Sequence, residues 1–121
     1  MDTIKSSADI SHLFSTGRRL KTPYLTLIIG GEGKSPRASR HDLQGRVAFI
    51  AGKKLGNAVW RNSSKRRMRE VCRALGGPWP GYDVIFLAKS SLTDASYSKV
   101  LKACDKAVAH SCLGAVEEKR G

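Results

Sequence analysis

The 121-residue chain has room for one domain with a modest hydrophobic core. Hydrophobic residues make up 40% of it, while 22 Lys and Arg against 10 Asp and Glu leave a formal net charge of +12. This composition excludes a wholly disordered chain and predicts a polyanionic partner, either a nucleic acid or an anionic membrane surface. No apolar run reaches the roughly 20 residues of a membrane-spanning helix, so nucleic acid is favoured.

The N-terminus and the cysteines bear on the compartment. The first residues, MDTIKSS, lack the basic start and apolar core of a secretory signal. Cys72, Cys104 and Cys112 are widely spaced and form no Cys-x-x-Cys pair, so we interpret them as reduced thiols that pack as small apolar groups. We therefore expect a cytoplasmic protein with one domain over 1–121, no membrane partner and no metal site of its own.

The first predicted element is a helix over 6–16. Ser6 or Ser7 can cap its start and Gly17 can end it. Its narrow apolar stripe, at the spacing i, i+3 and i+4, consists of Ile10, Leu13 and Phe14. A strand with branched and aromatic residues is predicted over 24–29, directly after Pro23.

Residues 30–45 are polar and rich in glycine, which predicts a mobile loop between two antiparallel strands. Arg37, Arg40 and His41 in this loop are either solvated or in contact with RNA. The second of the two strands is predicted over 46–51, followed by a turn-rich link and a basic helix.

The glycines and prolines of 76–81 predict the end of that helix. The nearly continuous apolar run over 83–88 predicts a central strand. A last helix is predicted to start between Thr93 and Ser96, with Lys99, Lys102 and Lys106 on its outer side and a frayed tail over 114–121. Its apolar stripe comprises Tyr97, Val100, Leu101, Cys104, Val108 and Cys112. These elements favour an open α+β sandwich.

The basic segment over 53–73 is the strongest functional signal. Eight of its 21 residues are Lys or Arg, and Glu70 alone opposes them. On a helical wheel with roughly 100° per residue, an apolar arc of about 80° begins at Trp60. That arc holds Trp60, Ser64, Met68, Val71 and Leu75. A cationic arc holds Arg61, Asn62, Lys65, Arg66, Arg69 and Arg73, and Arg67 at the apolar edge is expected to extend outward.

Like charges at i, i+4 destabilise a helix, so this pattern favours a bound polyanion over a solvated surface. Guanidinium groups bind phosphates well, which predicts strongly salt-dependent binding to nucleic acid. The charge pattern leaves DNA and RNA open. Phe14, Tyr24 and Phe49 are either base-stacking surfaces or core residues. No paired carboxylates, phosphate loop or nucleophile–base spacing is present, so we expect no catalytic residue in this chain.

The order Lys53-Lys-Leu-Gly-Asn-Ala-Val-Trp-Arg-Asn-Ser-Ser-Lys-Arg-Arg-Met-Arg-Glu70 resembles the protein subunit of bacterial ribonuclease P. The resemblance continues at Phe14-x-x-Gly17, at Arg46-Val, over 82–89 and from Tyr97 onward, in the same order. It covers most of 4–110.

This resemblance implies an α-β-β-β-α-β-α two-layer sandwich of the ribosomal S5-like type, with a left-handed βαβ crossover against the usual rule. It also implies that a large RNA subunit carries out the magnesium-dependent hydrolysis that matures tRNA 5′ ends. The protein would be an accessory subunit, a monomer when free, that binds this RNA and the single-stranded 5′ leader of precursor tRNA. Magnesium would act through the RNA subunit.

The resemblance implies RNA contact for the residues that match the basic signature: Lys53, Lys54, Arg61, Asn62, Lys65, Arg66 and Arg69. Phe14 matches an aromatic residue of the leader cleft, and Thr26 and Ile28 match positions on its floor. Ser63 and Ser64 replace a basic and an aliphatic residue that are usual in the family. Ile10 and Ile28 stand where aromatics are common, so base stacking is expected to be weaker.

Two alternatives remain open from the sequence. The chain could be a structural ribosomal or ribosome-associated RNA-binding protein of the same fold. It could also be a DNA-binding protein that inserts the basic helix into the major groove, although 65–69 holds little of the Asn and Gln that such helices use for base readout.

Overall fold

The computed structural model describes residues 3, 4, 6–31, 45–79 and 82–111. Two short 3-10 turns, Lys53–Leu55 and Ser90–Thr93, precede the second and third helices. The helices and strands are α1 (Ser7–Thr16), β1 (Arg18–Lys21), β2 (Leu25–Gly31), β3 (Arg46–Ile50), α2 (Ala58–Ala74), β4 (Tyr82–Ala88) and α3 (Tyr97–Ala109). The order α-β-β-β-α-β-α is therefore confirmed.

The described strands form one sheet in the order β1-β2-β4-β3. β2 is antiparallel to both β1 and β4, whereas β3 runs parallel to β4. The central position predicted for β4 is confirmed. β2 and β3 run in opposite directions, as expected, but they do not pair because β4 lies between them. Parallel neighbours need a crossover connection, which α2 provides between β3 and β4.

Residue patterns alone did not predict β1. Its sequence, RRLK, is short and mostly charged, which is unusual for a strand but acceptable at the edge of a sheet. Thr22 holds the tight connection to β2: its hydroxyl donates to the carbonyl of Leu25 and accepts from the amides of Tyr24 and Leu25. The turn held by Thr22 thus brings β1 alongside β2, and of the four β1 residues Leu20 alone packs against the larger core.

The larger core lies between one face of the sheet and the helices α2 and α3. Strand residues of this face alternate with residues of the opposite face, as a pleated sheet requires. The sheet contributes Leu25, Leu27, Ile29, Val47, Val84, Phe86 and Ala88, and the helices contribute Met68, Val71, Cys72, Val100, Cys104 and Val108. This pair of layers is the two-layer sandwich that was expected.

The helix α1 covers part of the opposite face of the sheet. Leu13 of α1 packs with Ile4, Ile28, Ala48 and Ile85 in a second, smaller cluster. The approach is close at Gly17, where an added Cβ would lie 2.6 Å from both Ile28 Cγ2 and the Leu13 carbonyl oxygen. Glycine at this position therefore allows α1 to end directly against β2.

The predicted ends of α1, the predicted start of α3 and the predicted stop after α2 agree with the structure. Ser6 caps α1 by accepting from the amide of Asp9, Asn57 caps α2 by accepting from that of Trp60, and Ser96 caps α3. Gly76, with φ of 90°, follows the last turn of α2 in a conformation that suits glycine. Since α2 begins at Ala58, Arg61 is the last residue of its first turn and Asn62 is the first residue of its second turn.

Cys72 changes the predicted boundary between the two faces of α2. Its side chain is fully buried, as predicted for a thiol that packs as a small apolar group, although it lies outside the apolar arc that begins at Trp60. It fits against Gly77, where an added Cβ would lie 2.7 Å from Cys72 Sγ. The segment after the helix folds back over this side of α2, which therefore buries a wider arc than the wheel predicted.

Several predictions concern residues outside the described ranges. They are most of the 30–45 loop with Arg37, Arg40 and His41, the last stop residues Pro80 and Gly81, Cys112, and the tail over 114–121. Gly30 and Gly31 belong to β2, and Gly45 directly precedes β3.

Met68 lies at the centre of the α2 face that packs on the sheet and is fully buried. Met68→Ala is expected to lower the free energy of unfolding by about 2 to 5 kcal/mol, because it leaves a cavity. Met68→Leu nearly conserves the volume and should cost less than about 1.5 kcal/mol. Urea unfolding of both variants measures the difference, and equal losses would contradict this packing role.

Ser64 lies on the same buried face, and its Oγ has no hydrogen-bond partner among the described residues. Ser64→Ala should therefore raise the free energy of unfolding by about 1 kcal/mol, because a buried unpaired hydroxyl is removed. The exposed neighbour provides the control: Ser63→Ala changes helix propensity alone, worth about 0.5 kcal/mol. A loss of stability in Ser64→Ala would show that the hydroxyl has a partner.

Candidate nucleic-acid interface

The outer side of α2 carries the predicted cations. Asn62, Arg66, Arg69 and Arg73 are exposed, and we call these four residues the cationic face. Arg61 and Lys65 lie half-buried at its margin, next to the buried arc. Lys53 and Lys54 are exposed in the 3-10 turn before the helix. All seven signature residues therefore lie on α2 or on the turn that leads into it, with at least part of each side chain accessible.

Arg69 is also positioned by a contact with the sheet. Its guanidinium carbon lies 5.6 Å from the centroid of the Phe49 ring, at the β3 edge. A cation over an aromatic face at this distance is favourable, and it limits the conformations of a long side chain. Arg69 therefore remains exposed while its guanidinium group is held over β3.

Arg67 has a different role from its neighbours on α2. Its Nη1 donates to the carbonyl oxygens of Leu92 and Ala95, at 3.1 and 2.6 Å. The expected outward extension is therefore wrong: the side chain crosses to the loop before α3 and satisfies two carbonyls there. Its charge contributes to the net charge of the protein, but its guanidinium group is committed to the fold.

The remaining three predicted RNA-binding residues lie on the opposite side of the sheet, with α1. Phe14 is half-buried at the C-terminal end of α1. Thr26 retains 6% of its surface, and Ile28 is fully buried beneath α1. Ile28 was predicted to lie on the floor of the leader cleft, but its side chain packs against α1 and has no surface accessible to RNA.

Next to these residues, α1 leaves part of the sheet only partly covered. Thr26 pairs with Leu87, and Leu87 pairs with Ile50, so the three side chains point to the same face. Leu87 and Ile50 are half-buried and provide most of the accessible surface here; with the nearly buried Thr26 beside them, they form what we call the open strip. Sequence reasoning missed both aliphatic residues, because the strand register is needed to place them beside Thr26.

Tyr24 and Phe49, the other two candidate stacking residues, lie on a different surface from Phe14. Both pack against the larger core, on the side of α2 and α3. The Phe49 ring is 5.3 Å from that of Phe86 and is also covered by Arg69. The structure therefore does not bring the three aromatics into one base-stacking surface.

Two of the described acidic residues and both described thiols have structural roles. Asp9 and Asp83 both interact with Arg46, which makes its shortest contact, 2.7 Å, with Asp83 Oδ2. Burial raises the pKa of the Cys72 and Cys104 thiols to about 12, so both stay protonated and poorly nucleophilic near neutral pH. Within the described ranges, no three His, Cys, Asp or Glu residues are grouped to hold a metal ion.

Hydropathy adds one observation about the three helices. None of those in the described part of the chain combines the length and the apolar content of a membrane span.

The sequence matches the family model described as Ribonuclease P over residues 1–111. The ribonuclease P protein component of Natranaerobius thermophilus is 34% identical over 99 residues, which span 80% of this chain and 78% of that protein. The chain belongs to the ribonuclease P protein family. The ribonuclease P protein component of Chloroflexus aggregans is 30% identical over 112 residues, spanning 91% of this chain and 77% of the relative.

Solved structures support the same fold. A Staphylococcus aureus RNase P protein superposes with a TM-score of 0.74 at 20% identity, covering 93% of this chain and 97% of that one. The RNase P protein of Thermotoga maritima superposes with a TM-score of 0.66 at 21% identity, covering 86% of this chain and 92% of that one.

The family match shows that this chain is a subunit of the tRNA-processing endoribonuclease ribonuclease P, in partnership with its RNA.

Arg66 and Arg67 form a matched pair for testing the interface, because each substitution to alanine removes one charge from α2. Arg66→Ala should weaken RNA binding and lower the slope of log affinity against log salt by about 0.7 to 0.9, with little loss of stability. Arg67→Ala should instead lower the free energy of unfolding by about 1 to 3 kcal/mol, since two part-buried carbonyls lose their donor.

Fluorescence titrations over a salt series and urea unfolding separate the two effects. Equal salt slopes for the wild type and Arg66→Ala would remove Arg66 from the interface.

Proposed function

We propose that this subunit binds the catalytic RNA of ribonuclease P and the single-stranded 5′ leader of precursor tRNA. It thereby assists the endonucleolytic removal of the leader. The observation that carries the proposal is the exposed cationic face of α2, together with the exposed Lys53 and Lys54 in the turn before this helix.

The composition of that face supports phosphate as the ligand. Arg66, Arg69 and Arg73 present guanidinium groups, which bind phosphate oxygens through paired hydrogen bonds. Glu70 is the acidic residue of the helix, so the cations are not neutralised within it. A phosphate backbone would relieve their mutual repulsion and release counterions, which makes binding favourable and salt-dependent.

A second surface supports the leader assignment. The open strip and Phe14 combine apolar area with a ring on the side of the sheet away from α2. Unpaired nucleotides expose bases that stack on or pack against such groups, whereas a duplex keeps them inside the helix. We therefore assign the open strip to the leader and the cationic face to RNA phosphates. The floor of the leader cleft was predicted to contain Thr26 and Ile28, next to Phe14. Because Ile28 is buried, we assign this floor to Thr26, Leu87 and Ile50 instead.

The chemistry is assigned to the RNA subunit, which would hold the magnesium ions. Metal-dependent hydrolysis uses oxygen-rich metal sites that activate water and stabilise charge. In the described ranges, the carboxylates of Asp9 and Asp83 are already engaged by Arg46. We propose further that the free protein is a cytoplasmic monomer. Its RNA-binding side chains would bind and position RNA without taking part in the hydrolysis.

The test is the cleavage of precursor tRNA by the cognate RNA at low magnesium, with and without this protein. The protein should raise the cleavage rate, because its cations replace part of the magnesium that screens phosphate repulsion. Equal rates would contradict the proposal. Sequencing the RNA that co-purifies with the protein gives the second arm: one discrete RNA supports the subunit role, whereas ribosomal RNA within ribosomal particles supports the ribosomal alternative.

A further inference from the structure

Arg19 of β1 lies over the ring of Phe14. Its guanidinium carbon is 5.7 Å from the ring centroid, within the range of a cation–π contact. Its Nη2 also donates to the Phe14 carbonyl oxygen at 3.0 Å. Arg19 is exposed, and nothing in the charge pattern of the basic helix pointed to it. One face of the Phe14 ring is thus occupied by a planar cation.

The fold explains why Arg19 takes this position. It pairs with Ile28 across the sheet, so its side chain rises on the same face as α1. The last turn of α1 contains no basic residue, and its terminal carbonyls carry partial negative charge. Arg19 supplies the missing cation from the neighbouring strand. The hydrogen bond and the ring together restrict the side chain before any ligand binds.

A nucleotide that approaches Phe14 from this side meets the guanidinium plane first. We propose that Arg19 is a stacking residue for an unpaired base of the leader, in the order Phe14, Arg19, base. The proposal rests on leader binding as proposed above and adds a residue and a contact to it. Proteins that bind single-stranded RNA stack its bases on the planes of arginine guanidinium groups. A guanidinium group that is already restrained loses less conformational freedom on binding.

The surroundings fit a strand of RNA and not an isolated base. Lys21 pairs with Thr26, so it lies on the same face as Arg19, two residues further along the edge strand. Its exposed ammonium group can neutralise a phosphate of the same leader. Stacking on a planar cation depends little on base identity, so the contact should tolerate different leader sequences while still requiring a base.

The experiment measures the affinity of the reconstituted holoenzyme for precursor tRNAs in which one leader nucleotide at a time is abasic. For the wild type, one abasic position should weaken binding by about tenfold, the effect of one stacked base. Arg19→Lys keeps the charge but loses the plane, so it should weaken binding to the intact leader by about the same factor. It should then show little further loss at that abasic position.

The two controls separate stacking from structure. Phe14→Leu keeps an apolar support but loses the ring, and it should show the same coupling to the abasic position. Arg18→Lys, on the neighbouring edge residue whose side chain points to the other face, should leave the abasic profile unchanged. Thermal unfolding of each variant, monitored by circular dichroism, excludes a loss of fold as the cause.

Three outcomes would overturn the inference. Equal abasic penalties in the wild type and Arg19→Lys would show that Arg19 does not stack on a base. Tighter binding by Arg19→Ala would show that the arginine blocks the Phe14 ring instead of extending it. If the wild-type holoenzyme binds precursor and mature tRNA equally well, leader binding itself fails, which is distinguishable from the first two results.

Discussion

β4 carries apolar side chains toward both faces of the sheet, and the positions of the helices follow from the need to cover them. Val84, Phe86 and Ala88 point to one face, where α2 and α3 bury them. Ile85 and Leu87 point to the other, where α1 covers the first fully and the second only in part. Neighbouring strands cover both edges of a central strand but neither of its faces. Any apolar side chain that no helix covers therefore remains in contact with water.

The same burial decides which side of α2 is available to RNA. Met68, Val71 and Cys72 hold the helix against the sheet, so its charged side must face outward. The arginines of α2 are nevertheless not equivalent: Arg67 bonds to carbonyls before α3, Arg69 lies over Phe49, and Arg66 is exposed. A helix with uniform charge in sequence therefore separates into structural and binding cations. The high net charge favours attraction to RNA, but it does not give the number of side chains that contact RNA.

Two arginines fix α1 across the second face. Arg46 on β3 interacts with Asp9 near the start of the helix and binds Asp83 of β4 through two nitrogens. Arg19 on β1 binds the carbonyl of Phe14 near its end. These contacts and the close packing at Gly17 define where α1 stops and where the open strip begins. The width of the proposed leader surface thus depends on ion pairs and hydrogen bonds between elements that are distant in sequence.

The sequence alone determined most of the elements and the chemical character of the site. Periodicity located α1, α2 and α3, apolar runs located β2, β3 and β4, and the family resemblance of the Lys53–Glu70 pattern indicated RNA. These features are local, because helix and strand periods and caps are written in neighbouring residues.

Tertiary structure decided what depends on contacts between distant residues. The charged edge strand β1, the burial of Ile28, the separate role of Arg67 and the placement of Arg19 over Phe14 all follow from strand register and helix docking. A side chain's local sequence gives its charge and shape, but its exposure depends on which element packs against it. The sequence therefore predicted which residue types bind RNA, and only the folded chain showed which of them reach the surface.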